Sequence, residues 1–262
     1  MDIRLDGLRA LIGGGTQGIG LATAQEMARL GAQVTLLARD AKKLHGALRT
    51  LDATNGQAHA MLVADMADTA ALQLAINKHL AESGPVDILL NNTGGPPPGP
   101  AHTAPLDAFE QAFRLHLLAF QTLVLAIVPG MKERRRGRII NVISTSVKAP
   151  LHNLGVSNTV RGAVAQWAKT LANELGPFSI TVNNVLPGAT ATGRLEAIIA
   201  NKSAKTGVSA EIAQQEMLSE IPLGRFAEPW ETAAAICFLA GPSAASITGI
   251  NLPVDGGRTA SL

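Results

Sequence analysis

Short runs of apolar, β-favouring residues alternate with longer helical patterns along the whole chain, and this alternation restricts the possible folds most. The runs are LRALIGG (8–14), QVTLLAR (33–39), AHAMLVAD (58–65), VDILLNN (86–92), GRIINVIS (137–144), SITVNNVLPG (179–188) and GINLPVDGG (249–257). Each is apolar at successive positions rather than at every second one, the pattern of strands covered by helices on both faces. Between them lie helical stretches at about 19–31, 41–51, 69–84, 106–132, 153–175 and 228–241. Gly31, Gly84-Pro85 and Gly241 act as stops, and Pro229 sits in a first turn. The expected architecture is α/β: a single Rossmann-type, doubly wound parallel sheet of about seven strands with helices on both faces. No linker or repeat interrupts residues 1–262, so one domain is expected. An irregular, partly helical excursion is expected at about 189–220, and the Gly/Pro-rich segment TGGPPPGPAHTAP (93–105) reads as a stiff loop.

A chain of 262 residues, 47% hydrophobic and 16% charged, can bury a large core. Its formal net charge of +2 does not favour nucleic acid as a partner. The dense basic run at Lys132, Arg134, Arg135, Arg136 and Arg138 reads as a solvated helix end. No uninterrupted apolar run reaches about 18 residues, so no membrane span is expected. The single cysteine, Cys237, excludes an intrachain disulfide, and no signal peptide is visible at the N-terminus. Together these point to a soluble cytoplasmic protein that handles a small molecule, with no metal centre.

GGGTQGIG (13–20) lies between the first strand and the first helix. Gly14, Gly18 and Gly20 let the backbone turn tightly and approach a pyrophosphate, while the helix start around Gln17 and Ile19 offers free N–H groups to that anion. An NAD site usually carries an acid at the end of the second strand, to bind the ribose 2′-hydroxyl. Here Ala38 and then Arg39 stand there. A guanidinium pairs with a 2′-phosphate where an acid would repel it, and the Thr16 hydroxyl can add a contact. NADP(H) is therefore the expected cofactor, ahead of NAD.

At this point the chain resembles the short-chain dehydrogenase/reductase (SDR) family over nearly its full length. The motifs that match are GGGTQGIG, Asp65 after the third strand, NNTG (91–94), GRIINVIS with Ser144, VNNVLPG (182–188), and the segment from Gly224 to Gly257. The resemblance implies that Asp65 and Met66 sit at the adenine and Asn92 to Gly94 along the cofactor. It further implies that Pro187, Gly188 and Thr192 hold the nicotinamide end, and that the C-terminal segment joins subunits into a homotetramer or dimer.

The family's usual reaction moves a hydride between the nicotinamide and a carbonyl or alcohol carbon. A Tyr protonates the oxygen, a Lys four residues later makes that Tyr more acidic, a Ser thirteen residues earlier holds the substrate oxygen, and an Asn on the preceding helix supports a water. Ser144 matches the Ser. Thirteen residues on stands Ser157, and four beyond it Arg161. His116, in FEQAFRLHLLAFQ (109–121), occupies the Asn position, and the chain contains no tyrosine at all. An aliphatic hydroxyl is a far poorer acid than a phenol of pKa near 10, and Arg does not exchange its proton. Losing a general acid costs roughly 10²–10⁴-fold in rate. His116 is the substitute donor best tuned by its ordinary pKa. Lys148 and His152 lie just past Ser144, and Ser144 can polarise the substrate oxygen while water gives the proton. Arg161 can keep the Lys's contact to the ribose. Three readings stay open: an NADP(H)-dependent oxidoreductase with an altered proton donor, a non-catalytic dinucleotide-binding pseudo-enzyme or sensor, and a lyase built on the same pocket.

Overall fold

The computed structural model describes residues 2–261; Met1 and Leu262 lie outside the described residues. Among the described residues, β1 (Arg9–Gly13), β2 (Gln33–Ala38), β3 (Ala60–Val63), β4 (Ile88–Asn91), β5 (Gly137–Val142), β6 (Ile180–Pro187) and β7 (Asn251–Val254) form one sheet in the order β3-β2-β1-β4-β5-β6-β7. Every pairing is parallel. Strand order reverses between β1 and β4, and in such sheets ligands enter the crevice beyond the carboxyl ends of the strands at that point.

The continuous apolar runs explain the layering. Leu11, Leu37, Leu89, Ile139 and Val182 turn to one face, where α3 (Thr69–Ser83), α5 (Ala119–Glu133) and α6 (Gly155–Leu175) cover them. The alternate residues Ile12, Leu36, Ile88, Leu90, Ile140 and Val185 turn to the other, beneath α1 (Gly18–Arg29), α2 (Ala41–Leu48) and α9 (Pro229–Ala240). Cys237 is buried in that second layer, and its desolvation pushes the thiol pKa upward.

Within the sheet, the register aligns four asparagines. Asn91, Asn141, Asn184 and Asn251 are direct neighbours across β4, β5, β6 and β7. The Nδ2 groups of Asn91, Asn141 and Asn184 each donate to the Oδ1 of the next asparagine at 2.8 Å. A one-residue slip of any of these strands would break the chain of amides, so it fixes register below the crevice.

Several expectations change. The long helix has three parts: α4 (Leu106–Phe113), a π-helical turn at Arg114–Leu118, and α5. Taken together, Leu106–Glu133 contains a window of mean hydropathy 1.6 and is long and apolar enough to cross a membrane by length and composition, which a search for unbroken apolar runs passes over. Phe120, Leu123, Val124, Ile127 and Met131 pack it onto the sheet as a core helix. The excursion is more regular than expected: α7 (Gly193–Thr206) and α8 (Ala210–Ser219) fill most of it. The 93–105 loop contains a 3₁₀ turn at Ala101–Thr103, and Gly99 pairs with the chain at Asn153–Gly155 through backbone hydrogen bonds of 2.8 and 2.9 Å. The basic run is exposed at Lys132, Arg135 and Arg136, as expected of a helix end, and its side chains also make contacts. Arg134 and Arg136 pair with buried Asp87, Arg135 donates to the Pro177 carbonyl, and the Lys132 ammonium lies 4.6 Å above the Phe178 ring.

Candidate active site

The crevice floor is the glycine loop between β1 and α1. Gly14 and Gly18 take φ of 60° and 54°. Gly20 packs so closely that a Cβ there would lie 2.2 Å from the Gly14 carbonyl oxygen. Asn92 Nδ2 donates to the Gly13 carbonyl at 3.2 Å, tying the end of β4 to the loop. Gln17, exposed at the N-cap of α1, provides no side-chain cap, so the first N–H groups of this helix have no side-chain acceptor. Glycines that clear the approach and an uncapped positive helix end fit a pyrophosphate. Ile19 is half-buried just inside the helix and Thr16 half-buried in the loop.

Arg39 follows β2 directly, is exposed, and forms no ion pair among the described residues. Asp65 is exposed beyond β3, where its carboxylate accepts from the Ala67 amide at 2.9 Å. Met66 turns its side chain into the core, leaving its backbone to that edge. Across the crevice, Pro187 ends β6, and Gly188 lies so close to Asp255 that a Cβ would stand 2.7 Å from its Cα. Thr192 precedes α7, donates its hydroxyl to the Thr190 carbonyl at 3.2 Å, and faces the glycine loop: a Cβ on Gly18 would lie 3.2 Å from its Cγ2. The residues assigned to the cofactor thus follow the carboxyl ends of β1, β2, β3, β4 and β6, with Thr192 facing the glycine loop. Gly94 is exposed at the root of the 93–105 loop.

The remaining candidates gather where β5 ends. Ser144, half-buried, accepts from the Ser146 amide at 3.1 Å and caps a 3₁₀ turn at Thr145–Val147. Ser157 is half-buried one turn before Arg161 on α6. Arg161 is 6% exposed, Nη1 donates to the Val142 carbonyl at 2.8 Å, and Nε is buried without a partner. Desolvation and the charge of Arg194 lower its pKa to about 10, so it stays a cation.

His116 is fully buried on the π-helical turn, with Nδ1 2.6 Å from the Thr93 hydroxyl and Nε2 unpartnered. Its expected titration near neutrality is corrected. Burial first, then the positive charges of Arg161 and Arg194, push its pKa down to about 2. The imidazole is neutral over the physiological range and holds no spare proton as an imidazolium. Lys148 is half-buried and His152 exposed.

One residue escaped the sequence reading. Arg194, in the first turn of α7, reaches across to the carbonyls of Gly95 and Pro96 at 3.1 and 3.0 Å, joining the excursion to the 93–105 loop over the crevice. The sole signal was a lone Arg after Gly193 at a helix start. Thr93 was likewise read as part of a cofactor motif and not as the partner of His116.

This fold and crevice define a dinucleotide-binding α/β protein of the Rossmann type. Over residues 14–259 the chain matches the family described as Enoyl-(Acyl carrier protein) reductase, and it belongs to that family, within the short-chain dehydrogenases/reductases. It is 31% identical over 255 residues to 2,3-dihydro-2,3-dihydroxybenzoate dehydrogenase of Bacillus subtilis, covering 97% of each chain. It is 28% identical to the NADPH-dependent reductase BacG of Bacillus subtilis, covering 97% of this chain and 98% of that one. L-sorbose reductase from Gluconobacter frateurii, solved with NADPH and L-sorbose, superimposes with a TM-score of 0.93 at 30% identity over the full length of both chains.

Proposed function

We propose that the protein is an NADP(H)-dependent oxidoreductase of the SDR type that acts on a small carbonyl or alcohol, or another activated C=X substrate, with an altered proton donor. The observation that carries the cofactor half is the pairing of an uncapped, glycine-cleared α1 start with an exposed Arg39 where an acid would select NAD. Gly14, Thr16, Gln17, Gly18, Ile19 and Gly20 would hold the pyrophosphate, Arg39 the 2′-phosphate, and Asp65 and the Met66 backbone the adenine. Asn92, Gly94, Pro187, Gly188 and Thr192 would border the nicotinamide half. The relatives named above that bind or require NADPH support the same choice. The continuous sheet from Arg9 to Val254 supports reading the chain as one dinucleotide-binding unit.

When bound, the reduced cofactor supplies a hydride. The residues of this chain then have an oxyanion to stabilise and protonate. In this reading Ser157 and Arg161 occupy the family's Tyr and Lys positions. The Arg161 guanidinium, anchored to the Val142 carbonyl at the end of β5, offers charge to the oxygen but no proton. Ser144 and Ser157 supply hydroxyls that orient the oxygen and a water, and the water gives the proton. His116 shapes the wall as a neutral imidazole fixed by Thr93. Such a site suits a substrate that asks little of a general acid: an activated carbonyl, an imine or a conjugated system.

The C-terminal segment and the exposed Leu118 and Leu125, seven residues apart on the long helix, support self-association as a dimer or homotetramer. Calorimetric titration with NADPH and NADH tests the cofactor assignment: NADPH should bind at least about tenfold more tightly, and equal affinities would remove Arg39 from the site.

A further inference from the structure

At the amino end of the sheet, opposite the crevice, a second cleft of about 580 Å³ opens between the start of β5, the start of β6 and the chain before β7. The guanidiniums of Arg134, Arg135, Arg136 and Arg138 border it, and no acidic side chain lines it. Asp87 pairs with Arg134 and Arg136 through one oxygen, while Arg135 and Arg138 make no ion pair among the described residues. Four cations against one carboxylate leave three positive charges uncompensated at the cleft. Arg138 is half-buried; its Nη1 donates to the Gly137 carbonyl at 2.9 Å, and its Nε is buried without a partner. The Nε of Arg134 and the hydroxyl of Thr181 are likewise buried and unpartnered, and both residues line the same cleft. Unpartnered polar groups gathered at one place call for an explanation, and a bound ligand is one. The backbone adds a separate observation. Three non-glycine residues among those described have left-handed φ, and two of them, Arg135 at 48° and Ser179 at 60°, line this cleft. Such conformations are unfavourable for an L-residue and gather at functional sites.

We infer that this cleft is a second ligand site, which binds a phosphorylated small molecule with its phosphate groups among the four arginines. The inference goes beyond the function proposed above and does not rest on it, because the cleft lies at the other end of the strands from the crevice and takes no part in hydride transfer. Charge density selects the class. One phosphate ester concentrates about 1.5–2 negative charges on a single group at neutral pH, and a diphosphate carries more, whereas a carboxylate brings one. The volume lies within the roughly 300–1,000 Å³ of small-molecule sites, so there is room for more than the phosphates. The chain's formal net charge is only +2, so the surface outside the cleft has no positive excess of the kind that draws nucleic acid.

Calorimetric titration of inorganic pyrophosphate tests this, with NADP⁺ held at saturation to fill the crevice and salt at about 0.15 M to screen diffuse attraction. Pyrophosphate should bind at least about tenfold more tightly than malonate, which carries two carboxylates. Arg138→Met should weaken pyrophosphate binding at least about tenfold. Arg135→Gly should weaken it at least about threefold, and this variant keeps the fold because glycine adopts a φ of 48° freely. In both variants NADP⁺ affinity should stay within about threefold of the parent. ADP titrated in the same way distinguishes the sources: binding tighter than pyrophosphate marks a nucleotide as the ligand, and weaker binding a free polyphosphate. Equal affinity for pyrophosphate and malonate, or a pyrophosphate affinity that survives either substitution, would overturn the inference and leave the proposed function standing. Failure of NADP⁺ to bind would overturn the proposed function alone, since the two variants still locate the pyrophosphate.

Discussion

A guanidinium at position 161 does two things that an ammonium there does not. Its planar fork fixes itself on the Val142 carbonyl at the end of β5, and it remains charged after burial has lowered its pKa to about 10. It therefore serves as a permanent positive wall and not as a partner in proton exchange. The interval from Ser144 to Ser157 to Arg161 was legible in the sequence because helix geometry preserves it. The burial of Arg161 was not legible, since it depends on the approach of α6 to the end of β5. His116 shows the same limit. Its position was readable, but its neutrality follows first from burial and then from two cations that lie 45 and 78 residues further along the chain. With a folded pKa of about 2 against 6.5 when exposed, His116 leaves the folded chain one proton short of the unfolded chain below pH 6.5. Stability should therefore fall as pH drops from 6.5 towards 2, by up to about 1.4 kcal/mol per pH unit from this residue. Urea unfolding of His116→Gln should show a shallower decline over that range than the parent; identical profiles would show that the imidazole is not neutral when folded. His79, whose pKa burial also lowers, contributes in the same direction in both proteins and cancels in the comparison.

At the scale of elements, strand and helix order could be read almost throughout, because the buried strands are continuous apolar runs and several helices end at a recognisable stop such as Gly31, Gly84 or Gly241. Two features could not be read. The π-helical turn at Arg114–Leu118 has no Pro or Gly to announce it. The excursion was underestimated because α7 has a polar composition with only Leu195 buried, so its apolar periodicity is faint. The asparagine ladder lies between these cases: Asn91, Asn141, Asn184 and Asn251 stand out as polar residues in apolar strands, but only the register shows that they bond to one another. Asn141→Leu should destabilise the protein by about 2–4 kcal/mol, because it strands a donor on Asn91 and an acceptor on Asn184 inside the sheet. A urea midpoint unchanged from the parent would show that the ladder contributes little.

For the whole molecule, the order β3-β2-β1-β4-β5-β6-β7 puts the glycine loop, Arg39, Asn92 and the β5–α6 cluster around one crevice, although they are distant in sequence. The exposed Leu118 and Leu125 lie on the outer side of a helix whose inner side fills the core. If the protein self-associates as proposed, Leu125→Glu should shift it to a smaller species in light scattering, without loss of fold by circular dichroism; an unchanged mass would contradict a subunit contact on this face. The central claim is that this crevice performs hydride chemistry without a tyrosine. The Ser157→Tyr, Arg161→Lys double variant should gain activity on generic ketones, since it restores a phenol and an ammonium to a scaffold that otherwise retains the family's cofactor crevice. Most direct is the parent protein itself, assayed for NADPH oxidation across a panel of activated ketones, imines and conjugated carbonyls. The account predicts turnover on at least one activated substrate; tight NADPH binding with no oxidation by any of them would contradict it.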